Sequence, residues 1–410
     1  MRILILTYRI AMGFGVDVVV GETARRFIKH GANVLIGVID QEPDIYSDLN
    51  IRKLDQSNPV SKSFLIAAAP DIIIIHTFPF FEQVDYLKEF APVIFWEHGD
   101  PSPELQIEPS RSFLLSEKKH KKENGYHSAN GIIAISEFIA SEIGDFSNIV
   151  IYNGCDHLNQ KPKDKLAKQF NKKISVGVLN RIGPGENRYK GIEFFLDLID
   201  ILKNHSNIQF CFAGRGKEED AKELRNSGME VKLNLSEIEK IEYLRNLDVF
   251  ISFSLWEGFN LPLVEASKLG TISLALDTGA HPEVTPFTFR NIYEMANFII
   301  HLSANESLIQ KYSDVSYHFV TKKFNWDLQS EKAFQFIRKI YIKDTKKAKI
   351  SFTKKMQIYM HLILYIIYRI RIACLGSIQF VKSHGLKKFF LLIKRKVYSL
   401  YLSIFRKLLA

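Results

Sequence analysis

The chain has 410 residues, 46% of them hydrophobic and 24% charged, which is the composition of a globular protein longer than one hydrophobic core fills. Its net charge of +10 is unevenly placed: residues 341–410 hold 16 Lys and Arg against one acid, Asp344, leaving the first 340 residues at −5. A body without a basic footprint excludes nucleic acid as its partner.

Residues 3–7 form an apolar strand, and a loop containing Gly13 and Gly15 leads to a helix over about 18–30 that stops at Gly31. Nothing at this end has the organisation of a signal peptide, and no apolar run reaches the roughly 20 residues that span a bilayer. The expected location is therefore cytoplasmic, or peripheral on the cytosolic face of a membrane. Residues 34–39 are a second strand, giving a βαβ opening whose glycine-containing turn lets phosphate approach backbone N–H groups. A dinucleotide-binding dehydrogenase shares this opening, but its G-x-G-x-x-G is incomplete because position 18 is Val. Further buried strands are expected over 72–76, 93–96, 131–136 and 149–152. The second of these delivers Glu97-His98-Gly99-Asp100 at its carboxyl end, where an α/β sheet places its chemistry. Residues 160–173 are polar and Lys-rich with no apolar period, a solvated linker or surface helix. Cys155, Cys211 and Cys374 lack metal or redox spacing and read as packing residues in a reducing compartment.

The alternation then restarts: strand 174–179, helix 193–203, strand 208–212, a turn at Gly214-Arg215-Gly216, and a helix near 218–225. Arg181 leaves the first of these strands and Lys190-Gly191 precedes the helix, so two cations stand where they could neutralise a diphosphate; Arg188 competes with Lys190 for the second place. A strand over 249–253 is followed by a loop, by Pro262 in the first turn of a helix that stops at Gly270, and by a strand over 271–276. Glu257 thus leaves a strand end and Glu265 lies in the first turns of the next helix, beside a mouth that attracts anions. A helix-dipole role worth about 0.3–1 kcal/mol accounts for Glu265 but leaves Glu257 unexplained.

The run from Glu257 to Ala266, E-G-F-x-L-P-x-x-E-A, resembles the retaining glycosyltransferases of family 4, which use the two-domain GT-B fold, and the likeness extends over about residues 1–342. The resemblance implies that Glu265 holds the ribose hydroxyls of a nucleotide sugar and that Glu257 accepts hydrogen bonds from the transferred sugar, with Gly258, Phe259, Asn260 and Leu261 between them. It assigns Arg181 and Lys190 to the diphosphate, Gly15 to the phosphate turn despite Phe14 where a second glycine is common, and His98 to the donor sugar. The alternative for His98 is a cap on a strand end, and His76, in P-D-I-I-x-x-H, reads as structural. Asn153-Gly154-Cys155-Asp156 matches the family's N-G-x-D at the domain junction, and Asn325-Trp326 with a helix over 329–341 matches its closing segment, which braces the first domain. Enzymes of this fold generally replace a metal with Arg, Lys and helix N-termini, so neither metal nor cofactor is expected.

Residues 356–368 are a nearly all-apolar run of about 20 Å as a helix, too short to span, flanked by Lys354-Lys355 and Arg369. The last segment sets Leu386, Phe390, Ile393, Val397 and Leu400 at helical spacing beside Lys and Arg, an interfacial amphipathic pattern, or else a hairpin that packs on protein.

The expectation is an α/β GT-B protein with two Rossmann-like doubly wound domains facing a central cleft, an acceptor-side domain over 1–160, a nucleotide-sugar domain over 170–342, and a basic amphipathic extension over 345–410. Its expected function is transfer of a sugar, with retention, from a nucleotide-diphosphate sugar to a lipid-linked or glycan acceptor at an anionic membrane surface reached through 345–410. The alternatives are an epimerase or phosphorylase of the same fold, or a non-catalytic scaffold that binds a nucleotide sugar.

Overall fold

The computed structural model describes residues 1–344, apart from 12, 103–104, 106–108, 163–172, 184–185 and 187, together with residue 360. Most of the linker expected over 160–173, the two apolar segments of the tail except residue 360, and Cys374 lie outside the described residues.

Short β-branched runs buried on both faces make parallel strands, and Ile72–Ile75 is the purest case, with all four side chains at 0% exposure. The first sheet comprises β1 (Arg2–Ile10), β2 (Asn33–Gln41), β3 (Ile51–Lys53), β4 (Ile72–Ile75), β5 (Val93–Glu97), β6 (Gly131–Ala134) and β7 (Ile149–Val150). Its spatial order is β3-β2-β1-β4-β5-β6-β7, parallel throughout. The second sheet comprises β8 (Ile174–Arg181), β9 (Ile208–Arg215), β10 (Glu230–Leu233), β11 (Val249–Ser252), β12 (Ile272–Leu276) and β13 (Phe287–Phe289). It too is parallel, in the order β10-β9-β8-β11-β12-β13. Each order reverses once, between β1 and β4 and between β8 and β11. In open α/β sheets the crevice at that reversal, outside the carboxyl ends, is where ligands bind.

Residues Met1–Tyr341 form one compact unit. One hydrophobic cluster runs through both halves of it, from Ile3 and Phe27 to Phe259, Trp326 and Ile337. Two others fill the outer faces of the individual sheets.

The helix expected over 18–30 begins earlier, at Gly15, because the glycine turn closes directly into it; Asp17 sits in its first turn and accepts from the Ala11 N–H at 2.7 Å. Gly214-Arg215, expected as a turn, are the end of β9, since the apolar run continues through Ala213 and pairs with Leu179 to Arg181 of β8. The helix expected near 218–225 is the shorter Lys222–Asn226.

Residues 326–341 are helical and return to the first half. Phe334 packs on Phe27, with ring centroids 5.7 Å apart, and Ile340 and Phe336 fill the space that a side chain at Gly131 would need. Arg26 ties this return together. Its guanidinium meets Glu22 Oε2 at 2.6 Å, Asp327 Oδ1 at 2.7 Å and Asp156 Oδ2 at 3.3 Å, while Asp156 Oδ1 accepts from the Trp326 backbone N–H at 2.5 Å. Removing one partner of a buried pair leaves the other charge uncompensated, at about 3–5 kcal/mol. Arg26→Met leaves Glu22 with Arg25 alone, at 2.8 Å, and takes the guanidinium from Asp156 and Asp327. It should therefore lower the urea midpoint by the equivalent of about 1–3 kcal/mol; an unchanged midpoint would mean that the network does not brace the fold.

Candidate active site

The carboxyl ends of both sheets open on one cavity of about 570 Å³. From the first sheet come Arg9, Gly15, Thr77 and His98; from the second come Arg181, Lys190, Arg215, Glu257 and Glu265. All ten residues named from the sequence line it. Arg188 is exposed and is not among the lining residues, so of the two competing cations it is Lys190 that reaches the cavity.

The loop that carries Lys190 is fixed by close approach. Gly191 has φ of +67°, and a Cβ there would run into the carbonyl of Phe253, while Leu255 N–H bonds to Tyr189 O at 2.8 Å. Lys190 Nζ is thereby held 2.6 Å from Glu257 Oε1. Glu257 is pinned from its other side by the Ala280 N–H, which donates to its carbonyl at 2.9 Å. Burial alone would raise the Glu257 pKa, but Lys190 and His281 hold it below the ordinary carboxylate range.

Glu265 lies in the helix Leu261–Lys268, which Pro262 opens, and is 1% exposed. Its carboxylate meets Lys240 Nζ at 3.1 Å and His157 Nε2 at 3.2 Å. Burial pushes its pKa up, yet Lys240 and His157 outweigh this and hold it at about 2. Both glutamates are thus ionised, oxygen-rich groups at one cavity wall.

Arg181, the last residue of β8, pairs with Glu186 at 3.3 Å and lies over the Phe14 ring. Arg9 and Arg215 approach the same ring at 5.0 and 5.8 Å, so Phe14, which replaces the usual glycine, serves as an aromatic platform between guanidinium groups from both halves. Gly15 stands at the start of its helix with open space where a Cβ would be. Burial pushes Asp17 up to about 7, against the pull of the Ala11 N–H, Arg9 and Arg215.

Within the motif, Gly258 is required by contact between the halves: a Cβ would strike the carbonyl of His98, and Ser136 Oγ donates to Gly258 O at 2.6 Å. Phe259 turns its ring to Phe324, 5.2 Å away, and Asn260 directs its amide to Ser252 Oγ at 2.8 Å and His281 Nε2 at 2.9 Å. His98 Nε2 is 3.0 Å from His76 Nδ1, and burial lowers the His98 pKa to about 3. Cys155 and Cys211 are buried and free, as packing residues. Among the described residues, no group of three or more His, Cys, Asp or Glu is placed to hold a metal ion, and no helix is long and apolar enough to cross a membrane.

Sequence reasoning missed Arg9, Arg215, Lys240 and His157. Arg215 was legible as a cation between two glycines at a strand end. Lys240 was not, because the helix Glu237–Asn246 that carries it has few apolar positions; a Ser236–Glu239 capping box marks its start.

Residues 175–305, nearly the whole second sheet with its helices, match the family described as glycosyl transferases group 1. Among solved structures the chain is similar to sucrose-phosphate synthase from Thermosynechococcus elongatus, at 15% identity and TM-score 0.68 over 83% of this chain and 99% of that one. It is similar to Anabaena HepE in complex with UDP-glucose, at 17% identity and TM-score 0.65 over 83% and 100%. It is also similar to the lipopolysaccharide outer core galactosyltransferase WaaB in its apo form, at 16% identity and TM-score 0.57 over 82% and 99%. The likeness is one of fold: the chain has the GT-B arrangement of two Rossmann-like parallel-sheet domains. No curated protein sequence matches it.

The Lys240–Glu265 pair gives a pH-dependent prediction. A carboxyl that titrates lower in the folded than in the unfolded chain adds stability above the unfolded pKa and loses it as pH falls through the folded one. Lys240→Met should cost about 3 kcal/mol at pH 7, and the deficit should shrink as pH falls below 4.5 toward 2, where Glu265 protonates in both proteins. A deficit independent of pH in chemical unfolding would deny the pair.

Proposed function

We propose that the protein is a retaining glycosyltransferase of family 4 that moves a sugar from a nucleotide-diphosphate donor to an acceptor hydroxyl. The observation that carries this reading is the convergence of two ionised, buried glutamates with Arg181 and Lys190 on one crevice at the reversal point of both sheets. Each group has a task suited to its chemistry. Glu265, fixed by Lys240 and His157, keeps acceptor oxygens for the paired hydroxyls of a ribose. Arg181, Lys190 and the helix start at Gly15 face the diphosphate and neutralise the charge that grows on it as the bond from sugar to phosphate breaks. Glu257 accepts from the sugar's hydroxyls, and the acceptor oxygen bonds to the anomeric carbon as the nucleoside diphosphate leaves with the bonding electron pair, the acceptor's proton passing to the departing phosphate oxygen. His98 completes the sugar pocket from the first sheet. The match of the second sheet to glycosyl transferases group 1 and the UDP-glucose in the HepE structure support a nucleotide-sugar donor and make UDP-sugars the first to try.

The acceptor is proposed to be lipid-linked, in polysaccharide or glycolipid synthesis, with the enzyme peripheral on the cytosolic face of the membrane. What supports this is the tail sequence: a soluble acceptor gives no reason for 16 Lys and Arg interleaved with two apolar stretches. Each such cation near an anionic surface contributes about 1 kcal/mol, so a fraction of them suffices.

Thermal stabilisation by a panel of nucleotide sugars tests the donor, since a ligand at 100 times its dissociation constant adds about 2.7 kcal/mol. Product analysis then separates transfer from isomerisation, phosphorolysis or binding without turnover. Glu265→Ala should weaken nucleotide binding tenfold or more, on the order of a charge-assisted hydrogen bond or two, whereas Glu257→Gln should lower kcat chiefly. Equal loss of nucleotide affinity in both would remove the distinction between the two roles, and Arg188→Ala proving more damaging than Arg181→Ala would move the phosphate contact into the loop. Removing residues 345–410 should leave donor binding intact, abolish association with anionic vesicles and slow transfer to a lipid-linked acceptor; full-length protein that ignores such vesicles at low salt would end the membrane reading.

A further inference from the structure

His76 and His98 follow neighbouring strands, β4 and β5, and face each other through His76 Nδ1 and His98 Nε2 at 3.0 Å. His76 is 2% exposed, with its ring stacked on Trp96 at an interplanar angle of 15°. Its second nitrogen, Nε2, is buried and has no hydrogen-bond partner. His98 lines the cleft, and its Nδ1 is the ring nitrogen not turned to His76.

Burial keeps both rings neutral, lowering His98 to about 3 and His76 well below its ordinary value. Each neutral imidazole carries one proton, and a single proton lies between the two facing nitrogens, so the pair has two arrangements. If His98 Nε2–H donates to His76 Nδ1, the proton of His76 sits on Nε2, a buried N–H with no acceptor. If His76 Nδ1–H donates to His98 Nε2, the orphan at His76 Nε2 is only a lone pair, and the proton of His98 sits on Nδ1. Orphaned buried N–H groups are the rarer fault, which selects the second arrangement.

We infer that His76 is a positioning residue that fixes His98 as its Nδ1–H tautomer, so that His98 offers the cleft a hydrogen-bond donor and no base. The use of that donor, to an oxygen of the bound sugar or phosphate, rests on the transferase reading; the tautomer does not. In that tautomer the bare nitrogen of His98, Nε2, is the one turned to His76.

The direct test is the nitrogen spectrum of full-length protein labelled with ¹⁵N-histidine, in which protonated and bare ring nitrogens resonate in separate ranges and His98 is assigned by its loss in His98→Gln. The expected spectrum has His98 protonated at Nδ1 and bare at Nε2, unchanged across pH 6 to 8 because a pKa of about 3 lies far below that window. A proton on Nε2 overturns the inference, as does a charged ring. A second arm uses nucleotide-sugar turnover. Asn at position 76 can place an amide N–H near the site of Nδ1, whereas Leu cannot. His76→Leu should lower kcat/KM about fivefold, the equivalent of one ordinary hydrogen bond, and His76→Asn should recover most of it. Equal losses in two folded variants overturn the inference. A protein inactive on every nucleotide sugar would sink the transferase reading and leave the wild-type spectrum to decide the tautomer.

Discussion

A carboxylate taken out of water must be paired or it protonates, and the cleft is built around two that are paired. Glu257 and Glu265 stand on one short strand-loop-helix segment, but the lysines that keep them ionised come from elsewhere: Lys190 from the loop after β8 and Lys240 from the helix Glu237–Asn246. Much of the local geometry serves those two distances. Gly191 lets the Lys190 loop close against Phe253, and Gly279 lets its own loop lie against the backbone of Glu257. Buried ion pairs add little net stability over apolar packing of the same volume. Two of them on one cavity wall are better understood as a means of holding charged oxygens still, which is what hydroxyl-bearing ligands need.

The cleft is held from both sides. Ser136, which caps the helix Glu137–Ile143, also donates to the carbonyl of Gly258, and the Glu283 carboxylate accepts from the Glu137 and Phe138 N–H groups at 2.9 and 2.7 Å and from Tyr152 OH at 2.9 Å. The second half therefore supplies an anion to a helix start in the first, where the dipole favours it. With the Arg26 network and the returning helix, these contacts join the halves beside a cavity that both sheets line.

The features legible in the sequence are those whose cause is local. Isoleucine runs gave the buried strands, Pro262 and Gly270 bounded the helix that carries Glu265, and the spacing within E-G-F-x-L-P-x-x-E-A brought both glutamates to one wall. The pairing of charges was not legible. Lys240 lies 25 residues before Glu265 and His157 lies 108 before it, on elements whose meeting depends on the whole topology. Phe14 shows the same limit: as a departure from the glycine pattern it looked like a weakness of the resemblance, whereas in the fold its ring collects Arg9, Arg181 and Arg215. The strand through Arg215 was read as a turn because Gly214-Arg215-Gly216 has turn composition; pairing with β8 overrides that preference.

The most direct measurement is a crystal structure of the protein with UDP-glucose. We expect density in the cleft between the sheets, with the ribose hydroxyls on Glu265, the diphosphate between Gly15 and the Arg181–Lys190 pair, and the sugar reaching Glu257 and His98. A nucleotide bound elsewhere, or one in the cleft with its ribose away from Glu265, would contradict the roles assigned to the two glutamates.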